Sequence, residues 1–364
     1  MVKILYIGPH ESARGGIASV IQTCTRYLAD SPFSVRCLAT VKDGNRLKKL
    51  LVVLKAYIRA PFEIMRADII HIHTASWNSW RRKIPLVILA KLQGRKLVIH
   101  IHGGGFADFL SSMSRCRLWT NTRILSQADC IVCLSASRRA ELARYLHATP
   151  TVTLPNPCRF IPKEVEVKCR PGLQILFTGL IDESKGVFDL IKAFALVTAL
   201  CPEEGLKLVL AGKGKVDACR ELSRECGIED KVLLPGWLGS SELRAAYADA
   251  DIYCLPSYVE GVPMGVLEAM AFALPIVACP VGGVPDVVDD GVHGLFVPPG
   301  DIDSLAFALK RLVDNEAERT TMGGAGRKRV LTEYSPQRAY AELEQLYDSL
   351  LASGVSVRPT IGNA

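Results

Sequence analysis

Glu260 and Glu268 stand seven residues apart in the segment Pro256-Ser257-Tyr258-Val259-Glu260-Gly261-Val262-Pro263-Met264-Gly265-Val266-Leu267-Glu268. Pro263 suits the first turn of a helix, which puts Glu260 in the loop before it and Glu268 on its second turn. The free amides of Met264, Gly265 and Val266 then lie between the two acids. Carboxylates arranged this way can grip hydroxyls on either side of a diphosphate. For an arbitrary pair of glutamates, the plainer alternative is a helix-surface acid. A second constellation is Thr178-Gly179-Leu180-Ile181-Asp182-Glu183-Ser184-Lys185-Gly186. Lys185 opens a helix there, where a cation opposes the dipole unless an anion binds; the alternative is a solvated surface lysine. A third is Arg14-Gly15-Gly16, after one apolar run and before a helix, where backbone amides can approach a phosphate closely. Its plain alternative is a loop needing positive φ. Finally, His102 precedes Gly103-Gly104-Gly105, which suits close ligand approach, although a lone histidine is more often structural.

These residues fall in loops that follow short apolar runs. Apolar runs at 3–7, 69–73, 97–102 and 130–135 alternate with helical patterns in the first half. The second half repeats the arrangement at 173–178, 207–211, 232–234, 252–255, 275–278 and 294–297. Alternating strands and helices predict an α/β chain of two doubly wound parallel-sheet domains, with ligands at the carboxyl ends of the strands facing one central cleft. The prolines between 154 and 172 read as a linker, giving domains at 1–165 and 170–335. A helix over 336–352 is expected to cross toward the first domain, followed by a mobile tail at 353–364.

Composition narrows the class. The 364 residues are 49% hydrophobic and 22% charged, which excludes disordered and fibrous chains. The start, Met1-Val2-Lys3-Ile4-Leu5-Tyr6-Ile7, reads as a buried strand and not as a leader, so the 12 cysteines are expected as reduced thiols in the cytoplasm. Cys130 and Cys133 sit in one strand pattern, pointing to opposite faces. Prolines break the longest uncharged stretch, 269–285, so no bilayer span is expected. The total charge of +7 divides into +16 over residues 1–164 and −9 over the rest, so the first half should meet something anionic. Residues 46–59 place Leu47, Leu50, Leu51, Leu54 and Ile58 on one helical stripe flanked by basic residues. That helix either lies on an anionic membrane or packs the stripe on its own sheet; Trp77, Trp80, Arg81, Arg82 and Lys83 favour peripheral contact. No reader motif supports nucleic acid.

The segment around Glu260 and Glu268 resembles the E-x7-E motif of retaining GT-B glycosyltransferases of family 4. The resemblance extends through Lys185-Gly186, Gly212-Lys213-Gly214, Asp251 to Ser257 and Val281-Gly282-Gly283-Val284-Pro285, and more loosely through Gly15-Gly16, His71-Ile72-His73 and His102-Gly103. It implies a GT-B fold and transfer of a sugar from a nucleotide diphosphate donor, UDP or GDP, to a lipid-linked or polysaccharide-precursor acceptor. By the same resemblance, Glu268 would hold the ribose hydroxyls and Glu260 the transferred sugar. The amides of Met264, Gly265 and Val266 would bind sugar or phosphate oxygens. Lys185, Gly16 and the Gly15 and Gly179 loops would hold the diphosphate, with His102 beside the sugar. No cofactor or metal is required on this reading. Two departures stand out. Leu180 occupies a position where the family often has arginine, for which Arg14 is the expected substitute, and Asn156 precedes Pro157 in place of glycine. Asp249-Ala250-Asp251 and Asp301-Ile302-Asp303 spell a metal-diphosphate motif of another fold, but read as a loop edge and a helix cap. A donor-binding protein without turnover is the competing expectation. A nicotinamide oxidoreductase ranks last, because no GxGxxG follows the first strand.

Overall fold

The computed structural model describes residues 1–352 except 11, 12, 14, 29, 30, 43, 104, 147, 148, 166–171 and 201–204. Arg14 and the tail expected at 353–364 lie outside the described residues. The chain forms two units, one of residues 1–159 together with the segment from 336 onward, the other of residues 160–335.

The first unit runs β1 (Val2–Pro9), α1 (Gly16–Tyr27), β2 (Phe33–Val41), α2 (Arg46–Met65), β3 (Ile69–Thr74), α3 (Asn78–Leu92), β4 (Lys96–Ile101), α4 (Phe106–Ser111), α5 (Arg115–Leu125), β5 (Cys130–Cys133), α6 (Ala136–Ala143) and β6 (Thr151–Thr153). Its parallel sheet has the order β2-β1-β3-β4-β5-β6. The run Ile4-Leu5-Tyr6-Ile7 is buried throughout, because a central parallel strand is covered on both faces. Leu5 and Ile7 pack with Ala56, Ala60 and Trp80 on one side, while Ile4 and Tyr6 pack with Tyr340, Leu343 and Tyr347 on the other. Cys133 and Cys130 divide between the same two faces.

The second unit runs β7 (Gln174–Ile181), α7 (Val187–Leu200), β8 (Lys207–Gly214), α8 (Val216–Glu225), β9 (Val232–Gly236), α9 (Ser240–Asp249), β10 (Ile252–Leu255), α10 (Met264–Ala271), β11 (Ile276–Ala278), β12 (Gly294–Phe296), α11 (Ile302–Asp314) and α12 (Glu316–Glu333), in a parallel sheet ordered β12-β11-β10-β7-β8-β9. The last helix, α13 (Pro336–Ala352), belongs to the first unit, where Tyr340, Leu343, Tyr347 and Leu350 form its buried stripe. In each sheet the strand order reverses once, at β1/β3 and at β7/β10. The crevice outside the strand ends at such a reversal is where open α/β sheets bind ligands.

The basic helix departs from one of its two expected placements. Leu47, Leu50, Leu51, Leu54 and Ile58 are each more than half exposed, as are Phe62 and Met65, while Ala56, Ala60 and Ile64 make the inward face of α2. Small residues let the helix approach the sheet, and the bulkier stripe is left facing outward. Two residues grouped with it go the other way. Trp80 is fully buried and donates to Asn121 Oδ1 at 2.7 Å, and Lys83 is buried too, so neither belongs to a peripheral surface. Among the described residues no helix is long and apolar enough to cross a membrane.

Candidate active site

In the second unit the two loops that flank the sheet reversal meet. After β7, Asp182 Oδ1 accepts from the Ser184 hydroxyl at 2.7 Å and the Lys185 amide at 3.2 Å, winding residues 183–185 into one turn of 3-10 helix. Gly186 ends that turn at φ 64°, and a Cβ there would fall 2.0 Å from the Pro256 carbonyl oxygen, so the turn is pressed against the loop after β10. The Tyr258 amide donates to the Ser184 carbonyl at 2.9 Å and closes the contact. The consequence is a short ion pair. Lys185 Nζ lies 2.6 Å from Glu260 Oε1, and the Ser257 hydroxyl donates to the same oxygen at 2.7 Å. Glu260 is held from its far side as well, since a Cβ on Gly282, at φ 61°, would lie 1.9 Å from its carbonyl oxygen.

Four residues beyond Glu260 the chain enters α10. The helix begins at Met264, with Pro263 as its extended N-cap, one residue later than the proline's preference predicts. Glu268 sits on the second turn, 4% exposed, and accepts from the Tyr247 hydroxyl at 3.0 Å. Tyr247 and Tyr253 each lie within 3.0 Å of Thr178 Oγ1, so a hydroxyl cluster fixes the carboxylate's surroundings. Burial raises both phenols, which therefore act as neutral hydrogen-bonding groups. Of the three amides expected to be free, that of Val266 is used, donating to the Pro263 carbonyl at 3.1 Å. Gly179 lies within β7, paired with Gly212, and the Leu180 side chain is exposed.

The other expected residues lie in the first unit. Gly15 caps α1 at φ 141° and Gly16 opens it, with no acidic side chain among the described residues of its first turn. His102 follows β4 and pairs with His73, Nε2 to Nδ1 at 2.9 Å. His71, Tyr347 and His100 extend the array, His71 Nδ1 lying 2.6 Å from the Tyr347 hydroxyl and His71 Nε2 3.3 Å from His100 Nδ1. His71, His73 and His100 are also the set among the described residues whose nitrogens, all within 4.8 Å of one another, could converge on a metal ion. The DxD segments are engaged elsewhere. Asp251 accepts from the Gln174 amide at 2.7 Å, and Asp301 caps α11 through the Ser304 amide at 2.9 Å.

Burial pushes His71 and His102 down to about 3, and burial together with the neighbouring imidazoles lowers His73 and His100 as well. In the unfolded chain each of these rings takes a proton near pH 6.5, while the native rings stay neutral. Stability is therefore complete above about pH 6.5 and is lost as pH falls toward 3. For His71 and His102 the cost near pH 4.5 should be about 3 kcal/mol each. Urea unfolding followed by tryptophan fluorescence at neutral and mildly acidic pH checks this. An unfolding midpoint independent of pH over that window contradicts it.

Tyr247 lay outside the sequence reading, while Thr178, Tyr253, Ser257 and His73 stood in its motifs with no role of their own. Ser257, three residues before Glu260 in one loop, could have been found from spacing alone. The others reach the site only through pairing of strands far apart in sequence.

Two doubly wound parallel sheets, each with a loop and a helix start at its strand-order reversal, place the chain among α/β proteins that bind ligands at that point. The family comparisons agree. Residues 164–329 match the family model "Glycosyl transferases group 1" and residues 15–157 match "Glycosyl transferase 4-like domain". Together these matches take in most of the chain, which belongs to the GT-B glycosyltransferases of family 4 type. Among curated relatives, MMP alpha-(1->4)-mannosyltransferase of Mycolicibacterium hassiacum is 36% identical over 170 residues, 46% of this chain and 41% of the relative. The chain thus spans less than half the length of that relative. Among solved structures, sucrose-phosphate synthase from Thermosynechococcus elongatus superposes with a TM-score of 0.76 at 23% identity, covering 97% of this chain and 100% of that one. HepE of Anabaena in complex with UDP gives 0.76 at 18% identity, over 96% and 100%. These structural likenesses concern the fold.

Proposed function

We propose that this protein is a retaining glycosyltransferase that moves a sugar from a nucleotide diphosphate donor, UDP or GDP, to a lipid-linked or polysaccharide-precursor acceptor in glycan biosynthesis. The observation that carries the reading is the Lys185–Glu260 pair at 2.6 Å, beside the sheet reversal and ahead of the helix that bears Glu268. The solved complex of HepE with UDP supports a uridine nucleotide as the first donor to try.

On this reading Lys185 holds the diphosphate and Glu268 the ribose. Both donors to Glu260 in the structure bind Oε1, which leaves Oε2 without a donor among the described residues and able to accept from a sugar hydroxyl. Breaking the bond between the anomeric carbon and the phosphate oxygen puts negative charge on the diphosphate. A fixed ammonium there stabilises the transition state more than the ground state, by roughly 3 kcal/mol in a dry site. The acceptor hydroxyl attacks from the leaving-group face and gives its proton to a departing phosphate oxygen, so configuration is retained. In the first unit, His102 is the group assigned to the sugar and the Gly15-Gly16 amides those assigned to phosphate, and no metal is required because ammonium and amides neutralise the phosphates. Thermal-shift titration with UDP, GDP and ADP, followed by sugar transfer from the matching donors, tests the reading. Absence of stabilisation by any of the three rejects it.

The exposed stripe of α2 supports a peripheral seat on the cytoplasmic face of a membrane. Leu50, Leu54 and Ile58 face outward, and Lys48, Lys49, Lys55 and Arg59 lie on the same helix. Apolar side chains enter the interface while each cation near it contributes about 1 kcal/mol toward anionic lipid. At low salt the protein should float with anionic vesicles. Replacing Leu50, Leu54 and Ile58 together by serine should weaken partitioning at least about tenfold. Equal flotation of the triple variant sinks the membrane part.

A further inference from the structure

Lys83 is a lysine on the second turn of α3 that the donor site does not use. It is 2% exposed, and its ammonium makes one hydrogen bond, to Ser79 Oγ at 3.2 Å. No acidic group among the described residues forms an ion pair with it. A buried cation without a counter-charge is costly, and burial, followed by the nearby Arg82 charge, pulls Lys83 down to about 7. A ligand anion can supply the partner that such a buried ammonium lacks.

Its position supports that. Ser79 Oγ also accepts from the Ala75 amide at 3.1 Å and lies 3.5 Å from Thr74 Oγ1, so the ammonium is tied to the carboxyl end of β3, at the β1/β3 reversal of the first sheet. The end of β4 adjoins it, because the His102 amide donates to the Thr74 carbonyl at 2.8 Å. The Lys83 charge is felt at both His73 and His102, where it disfavours their protonation. The side chain of Asn156 lies beside His102 as a hydrogen-bonding neighbour, and His73 Nε2 is buried without a hydrogen-bond partner among the described residues. Ser79, which holds the ammonium, is itself partly exposed.

We propose that Lys83, with the Ser79 hydroxyl that holds it, forms an anion subsite in the first unit that takes a phosphate group of the acceptor. Assigning that phosphate to the acceptor rests on the transferase reading above; the anion subsite itself does not. A phosphate oxygen would accept from the Lys83 ammonium and from Ser79 Oγ, supplying the negative charge that the protein's own side chains leave out.

The test uses the full chain and inorganic phosphate, with thermal stability as the readout. In saturating UDP, phosphate should still stabilise the wild-type protein and Lys185→Ala, because UDP and Lys185 concern the donor site. It should stabilise Lys83→Met at least about tenfold more weakly, with Ser79→Ala in between. Without phosphate, Lys83→Met should melt higher than wild type by about 3 °C, since a buried unpaired cation has become an apolar side chain. A lysine kept only for structure would give a lower melting temperature. Equal phosphate stabilisation of Lys83→Met and wild type overturns the proposal, as does loss of all phosphate stabilisation once UDP is added. If no nucleotide binds, the transferase reading fails by itself, while the comparison of Lys83→Met with wild type in phosphate alone still decides the subsite.

Discussion

Lys185→Ala is expected to lower kcat/KM for sugar transfer by about 100- to 1,000-fold, the usual loss when one preorganised donor to a developing oxyanion is removed. The size follows from how firmly the ammonium is held. An Asx-capped turn, a left-handed glycine and the short bond to Glu260 fix Lys185 before any diphosphate arrives, so little reorganisation is needed as charge develops. Global stability should change far less than activity, because Lys185 is partly solvated and pairs at this level of exposure contribute little. Donor turnover and melting temperature measured on one preparation separate the two. Retention of more than about a tenth of wild-type turnover would be incompatible with a role in stabilising the leaving group. Lys185→Arg should recover part of the loss, since a guanidinium keeps the charge but not the compact geometry.

Glu268→Ala should act on binding more than on chemistry. A carboxylate that accepts from two ribose hydroxyls contributes on the order of 1.5 kcal/mol or more per bond, so the loss in nucleotide affinity should approach 100-fold. Because the ribose interacts in ground and transition states alike, the effect should appear mainly in KM and in the affinity for free UDP. Isothermal titration with UDP provides the check, and unchanged affinity would leave Glu268 as a packing residue. Tyr247 donates to Glu268 and lies beside Thr178, so removing the carboxylate leaves that hydroxyl a second partner. The fold should survive the substitution.

The fold was legible in this chain because its inner strands are covered on both faces. Runs such as Ile4 to Ile7 and Ile252 to Leu255 are continuously apolar, and each is followed by a glycine-bearing or proline-bearing loop. The strands that escaped the sequence reading are at sheet edges. β2 carries Ser34 and Arg36 and β6 is three residues long, since an edge strand needs only partial burial and so keeps a weak hydrophobic pattern. The amphipathic helix shows the opposite failure. Periodicity revealed an apolar stripe on α2 but could not say which way it turned, and the sheet chose the small-residue face of Ala56 and Ala60.

The spacing of Glu260, Pro263 and Glu268 is local, and the sequence alone determined that the two acids bracket a helix start. That Lys185 meets Glu260 was decided by the pairing of β7 with β10, strands about 75 residues apart whose ends bring an ammonium to a carboxylate. The surroundings of Lys83 were decided in the same way. A basic run at 81–83 reads as a solvated face until the turn of α3 sends one of its three cations inward, toward histidines that only the register of β3 and β4 places beside it. Local chemistry is written in neighbouring residues. Burial and long-range partnership depend on how elements pack, and those set which of several plausible charges is stripped of water and made to act.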